Sequence, residues 1–268
     1  MKTFLFLLLL FSSAFLQHST TVELYKEEKE DHIEIYARNQ NVYPVTIEIE
    51  LEIENLRPDK NPPYLYTVDP GRDQKIMDLF YEDKSAGWKY RSGYQYYMGD
   101  INARHNNSFA YRLPYHRGES YKVDQGFGGQ FSHQGELQYA LDFNMPMGTA
   151  IYAARNGKVV MMEENSDKGG PSANMMEFAN FITIMHDDGT FADYSHLKYQ
   201  GANVRIGQQV QMGQVIGYSG ATGYATGPHL HFVVKKTKRG GGFTSIPVKF
   251  ATKDGIIQLR EGDTYIGY

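Results

Sequence analysis

The stretch Gly227-Pro228-His229-Leu230-His231-Phe232 runs into Val233-Val234, so a His-x-His pair opens an apolar strand. Side chains along a strand alternate between its two faces. His229 and His231 therefore point the same way, with their ring nitrogens close together. That arrangement suits a shared metal ion, or one metal ligand beside one acid/base group. Histidine is the commonest protein metal ligand and the side chain best suited to moving protons near neutral pH. The rest of the chain must supply the missing partners.

Upstream of the pair, from Tyr121 onward, Gly-rich turns separate short apolar runs, an all-β texture with little room for helices. Gly126-Phe127-Gly128-Gly129 precedes Ser132-His133, and Ala140-Leu141-Asp142-Phe143 follows. Residues 149–154, the Asn156-Gly157 dipeptide and residues 158–162 read as strand, turn, strand, since Asn-Gly is a strong hairpin signal. Residues 181–186 and 190–195 flank Asp187-Asp188-Gly189 and read as a second hairpin. From residue 115 onward the chain contains six histidines, His116, His133, His186, His196, His229 and His231. Asp142, inside Ala-Leu-Asp-Phe, is a carboxylate in a similar strand setting. A catalytic zinc site needs three protein ligands and an open position for water. Two His and one Asp form a chemically sensible set, with histidines left over for proton transfer. Zinc lowers the pKa of a bound water to about 7, which yields a nucleophile at neutral pH.

The N-terminal half reads differently. Val45, Ile47, Ile49, Leu51 and Ile53 alternate with Thr46, Glu48, Glu50, Glu52 and Glu54, which is a half-buried strand with an acidic, solvated face. Further strands are expected at residues 64–68 and 88–98, so residues 20–107 are expected to form a small β-sandwich-like module. His32 and His105 have no partners at metal-ligand spacing and are expected to be surface or loop residues. The polar, Pro- and Gly-containing stretch 106–118 is the expected boundary, with the second domain at residues 115–268.

Composition narrows the function classes. The 268 residues are 41% hydrophobic and 22% charged, ordinary for a globular protein, and a formal net charge of −4 gives no general attraction to nucleic acid. Lys2 and the apolar run at residues 3–16 read as an export signal ending near Ser19, because the run is shorter than the roughly 20 residues of a membrane span. The expected location is periplasmic or extracellular, with no integral membrane segment after signal cleavage. With no cysteines, neither disulfides nor a Cys-linked lipid anchor is expected.

The stretches Ser132-His133, Tyr139-Ala140-Leu141-Asp142-Phe143, Tyr194-Ser195-His196-Leu197 and Gly227-Pro228-His229-Leu230-His231-Phe232 together resemble the lysostaphin/LytM-type zinc metallopeptidases. The resemblance covers residues 126–250 and leaves the N-terminal module out. It implies a compact antiparallel β-domain with zinc on the floor of a groove. It implies His133, Asp142 and His231 as zinc ligands, and His196 and His229 as catalytic histidines that do not bind the metal. One departure matters. In the commonest family pattern the first His and the Asp stand closer together, whereas here they are nine positions apart. Glu136, three after His133, is the alternative carboxylate. Asp142 is preferred because a strand holds a ligand more accurately than a Gly-containing loop.

The resulting expectation is an exported zinc metalloendopeptidase acting on the peptide part of bacterial cell wall or on another extended peptide. Tyr194, Tyr218 and Tyr224 are expected along its groove. The rivals are a catalytically silent peptidoglycan-binding or activator module and a peptidase for secreted proteins. The basic run at residues 235–239 reads as an exposed loop and, secondarily, as a holder of an anionic cell-wall polymer.

Overall fold

The computed structural model describes residues 22–268, and the export signal expected at residues 1–19 lies outside the described residues. The described chain is almost entirely β, and its helical elements are two short 3-10 turns, Gly135–Leu137 and Ala173–Phe178. Among the described residues no helix is long and apolar enough to cross a membrane.

The N-terminal half is two facing antiparallel sheets. One orders the strands Val22–Glu28, His32–Asn39, Arg72–Tyr81 and Leu56–Pro58; the other places Val45–Glu54 between Tyr64–Val68 and Lys89–Met98. The alternation read in the sequence is what builds the core. Ile33, Ile35 and Ala37 from one sheet and Val45, Ile47 and Ile49 from the other are buried in one cluster with Met77 and Leu79. Glu50, Glu52 and Glu54 stay exposed on the opposite face.

The C-terminal half centres on a nine-stranded sheet. Its middle strands run Gly157–Glu163, Phe181–Met185, Phe191–Ser195, Leu230–Thr237, Leu141–Phe143 and Ser120–Gln125 in spatial order. Residues paired in register share a face, so Leu141, Phe143, Ile182, Ile184, Ala192, Tyr194, Leu230, Phe232 and Val234 line one side. There they form the principal core with Tyr111, Tyr115 and Phe250. Strand Ala110–Arg112 joins this half by pairing in parallel with Lys249–Thr252.

The opposite side of the same sheet is divided along its length. Phe191 and Val160 are buried in the cluster of the N-terminal sandwich, with Met185 and Phe243 packed against it. Lys158 donates from Nζ to the Val42 carbonyl at 2.8 Å, and Arg239 pairs with Glu48 at 2.9 Å. The N-terminal module therefore sits on the face that carries Ser195 and His231, farther along the strands.

Three expectations need correction. Residues 149–162 are not a hairpin. Ala150–Tyr152 pairs with Val215–Ser219 in another sheet, and Gly157–Glu163 pairs with Phe181–Met185 and Gln209–Val210. Gly157 is there for close approach instead of for a turn, because a Cβ on it would lie 2.3 Å from the Met185 carbonyl oxygen. Tyr194 does not line a groove: it is fully buried, and its hydroxyl accepts from the Ala154 amide at 2.8 Å. Strand alternation turns it to the core side while its neighbour Ser195 takes the other. The basic run is an exposed loop only from Lys238 onward. Lys235 and Lys236 lie in a strand, and Lys235 is paired with Asp193, Lys238 with Glu136 and Arg239 with Glu48.

Candidate metal and catalytic site

Strand Leu230–Thr237 lies between Leu141–Phe143 and Phe191–Ser195, and its register sets Asp142 on one side of His231 and Ser195 on the other. Gln125 in turn stands opposite Asp142. Alternation puts all of these on the face away from the principal core. His133 is brought in from the loop after the Gly-rich turn. There its Nδ1 donates to the Gly126 carbonyl at 2.8 Å and its amide donates to the Gly129 carbonyl at 3.1 Å.

His133, Asp142 and His231 are all buried, and one ligand atom from each lies within 4.8 Å of the others. His133 Nε2 is 3.2 Å from Asp142 Oδ1, and His231 Nδ1 is 2.8 Å from the same oxygen. Since a carbonyl only accepts, His133 carries a proton on Nδ1, and in the neutral ring its Nε2 then carries a lone pair. That Nε2 is a buried polar atom without a partner in hydrogen-bond geometry. A lone pair facing a carboxylate oxygen at such range calls for a cation between them. Burial alone would raise the Asp142 carboxyl, but positive charge beside it, on His133 and His231 when they are protonated, outweighs that and holds it well below the usual carboxylate range. The donor set, two imidazoles and an ionised carboxylate, is one that suits zinc.

His196 and His229 stand beside this cluster. Their rings are 4.5 Å apart between centroids, and the His196 ring is 5.8 Å from that of His231. Each donates from Nδ1 to a backbone carbonyl, His196 to Thr222 at 2.7 Å and His229 to Gly227 at 2.8 Å. Their Nε2 atoms are thereby left as bases. His229 Nε2 is 4.0 Å from Asp142 Oδ1. His196 follows directly on Ser195 and adopts a left-handed backbone with φ of 64°, which turns the chain out of one strand and into the next, Leu197–Ala202. Such a conformation is uncommon outside Gly and is held here by its surroundings. Burial first, then the proximity of His229 and His231, push the His196 imidazole down to about 3, so it is neutral at working pH.

The five residues singled out in the sequence thus meet in one place. Glu136 does not join them. It lies in a short 3-10 turn and accepts from Lys238 Nζ at 2.7 Å and from the Phe243 amide at 3.3 Å. His186 is a buried core histidine whose Nδ1 is 2.9 Å from Thr190 Oγ1. His32 departs from expectation, because Glu34 and Asp78 come within metal-ligand range of it. Lys75, however, already pairs with both carboxylates. A cleft of about 640 Å³ includes Asp69, Asp100, Arg104 and Lys158 in its lining, and none of the five residues borders it. Tyr224 is partly exposed and lies 5.4 Å, ring to ring, from the exposed Phe131. The sequence carries no signature for Gln125 or for the Gly126, Thr222 and Gly227 carbonyls, which are backbone groups and a lone amide recruited by register.

Residues 136–241 match the family described as Peptidase family M23. Lysostaphin of Staphylococcus simulans is 39% identical over 116 residues, which are 42% of this chain and 21% of that protein. Peptidoglycan DD-endopeptidase ShyA of Vibrio cholerae is 40% identical over 91 residues, 34% of this chain and 18% of that one. The solved structure of lysostaphin from Staphylococcus simulans is 34% identical, covers 43% of this chain and 42% of its own, and superposes with a TM-score of 0.33. The chain spans about a fifth of the length of the lysostaphins it matches.

Proposed function

We propose, from the match of residues 136–241 to peptidase family M23, that the chain is an exported zinc metalloendopeptidase that cleaves peptide bonds in bacterial peptidoglycan. The reading also divides the chain into an N-terminal β module at residues 20–107 and a peptidase domain at residues 115–268. The observation that carries it is the convergence of His133 Nε2, Asp142 Oδ1 and His231 Nδ1, with two further imidazoles beside them.

His133, Asp142 and His231 would hold the metal. A zinc ion there supplies a Lewis acid for the scissile carbonyl and lowers the pKa of water. His229 is the general base: its Nε2 lone pair lies beside Asp142 Oδ1, and the Gly227 carbonyl fixes the proton on the other nitrogen. His196, neutral and of low proton affinity, accepts a hydrogen bond at Nε2 and holds the reacting groups in line without competing for the proton. Phe131 and Tyr224 offer an apolar surface at the rim for an extended peptide.

The test is digestion of purified peptidoglycan and of casein side by side, followed by identification of the new termini. The expected outcome is new peptide termini in peptidoglycan, lost with a chelator and restored by zinc. Cleavage of casein alone would move the substrate to secreted proteins. Binding of peptidoglycan without cleavage, at one zinc per chain, would favour the silent module.

A further inference from the structure

Gln125 is buried, and its carboxamide makes four hydrogen bonds. Nε2 donates to Asp142 Oδ2 at 2.9 Å and to Ser132 Oγ at 2.8 Å. Oε1 accepts from the backbone amides of Phe131 and Ser132, both at 3.0 Å. A carboxamide has two N–H donors and two acceptor lone pairs, so its capacity is filled. The two backbone amides can only donate, which fixes the side chain's orientation and aims the NH2 group at Asp142.

The consequence falls on both partners at once. Asp142 has one oxygen, Oδ2, committed to Gln125, while the other, Oδ1, faces His133, His229 and His231. The two amides belong to the residues immediately before His133, so the same side chain sets the loop that delivers that imidazole. Space is made for it on purpose. A Cβ on Gly129 would lie 2.2 Å from Gln125 Cγ, with Gly129 outside the left-handed region, so close approach and not backbone freedom requires glycine there.

We propose that Gln125 is the positioning residue of the metal site, a clamp that presents Asp142 through Oδ1 alone and ties that carboxylate to the His133 loop. The proposal rests on the metal reading above. Partners of this kind, which orient a ligand without touching the metal, are typically worth about 10–100-fold in metal affinity.

Gln125→Glu separates the clamp from the loop. A glutamate still accepts from the Phe131 and Ser132 amides, but it has no proton for Asp142 and sets a like charge against it. Gln125→Met keeps the length and makes no hydrogen bond. Ser132→Ala removes one bond and leaves the Asp142 contact. Zinc affinity is measured for each full-length protein by chelator competition, alongside the visible absorption of the cobalt-substituted form and a thermal melt. The expected result is an affinity about 10–100-fold weaker and an altered cobalt spectrum in both Gln125 variants, with Ser132→Ala close to wild type. Wild-type affinity and spectrum in either folded Gln125 variant overturn the clamp, as does a loss in Ser132→Ala equal to that in Gln125→Glu. Wild-type protein that binds no zinc overturns the metal reading itself, and the clamp with it.

Discussion

His229 and His231 lie one residue apart and share a strand face, yet their ring environments differ. His231 Nδ1 meets Asp142, whereas His229 Nδ1 is spent on the Gly227 carbonyl. The proposed division of labour rests on those bonds. His229→Ala is expected to retain about one zinc per chain while hydrolysis falls by about 10²–10⁴-fold, the usual contribution of a positioned acid/base group. His231→Ala is expected to lose both, since one of three ligands is gone. Metal content of the dialysed proteins and their peptidoglycan hydrolysis check the pair together. Zinc loss in His229→Ala would make it a ligand and collapse the split of roles.

At the scale of elements, the sheet is built by pairing between segments far apart in the chain, and glycine marks the points of closest approach. Gly157 lies against the strand Phe181–Met185, with the Met185 carbonyl where its Cβ would be. Gly157→Ala is therefore expected to push the two strands apart and to cost about 1–3 kcal/mol, as overpacking in a core does. Denaturant unfolding measures it, and a change under about 0.5 kcal/mol, the range of ordinary surface substitutions, would show that the strands shift freely. The Asn156-Gly157 dipeptide shows how a local signal is overridden. The residue types are those of a turn, yet Gly157 opens a strand, and the apolar run after it pairs with residues 181–185 and not with residues 149–154. The hairpin across Asp187-Asp188-Gly189, with strands that pair directly, forms as its sequence implies.

Across the whole molecule, pH tests how the buried polar groups are held. Burial first, and then the Arg155 charge, push His186 down to about 3. In the unfolded chain the same imidazole titrates near 6.5. Between these values the unfolded chain binds a proton that the folded one refuses. Stability from this group is thus fully present above pH 6.5 and declines as pH falls toward 3, by at most about 1.4 kcal/mol per pH unit. The expected outcome is a shallower acid slope for His186→Gln than for wild type between pH 6.5 and 4.5, read from denaturant unfolding at each pH. Parallel slopes would mean that His186 charges without unfolding the protein.

The alternating run at residues 45–54 and the Gly-punctuated texture after Tyr121 made the β architecture legible in the sequence, because strand alternation and turn chemistry act over a few residues. His133, Asp142, His196, His229 and His231 were legible as chemistry through their residue types and their ordered flanks. What could not be read locally is everything that register decides. Asp142 meets His231 across 89 positions of chain, and the same register sends Tyr194 into the core and stations Gln125 behind the Asp142 carboxylate. It also lays the N-terminal sandwich on the face that carries the site. Residue identity determined which atoms could bind a metal or move a proton; only the tertiary structure, through hydrogen-bonded pairing of distant strands, decided which of those atoms meet and which partners hold them still.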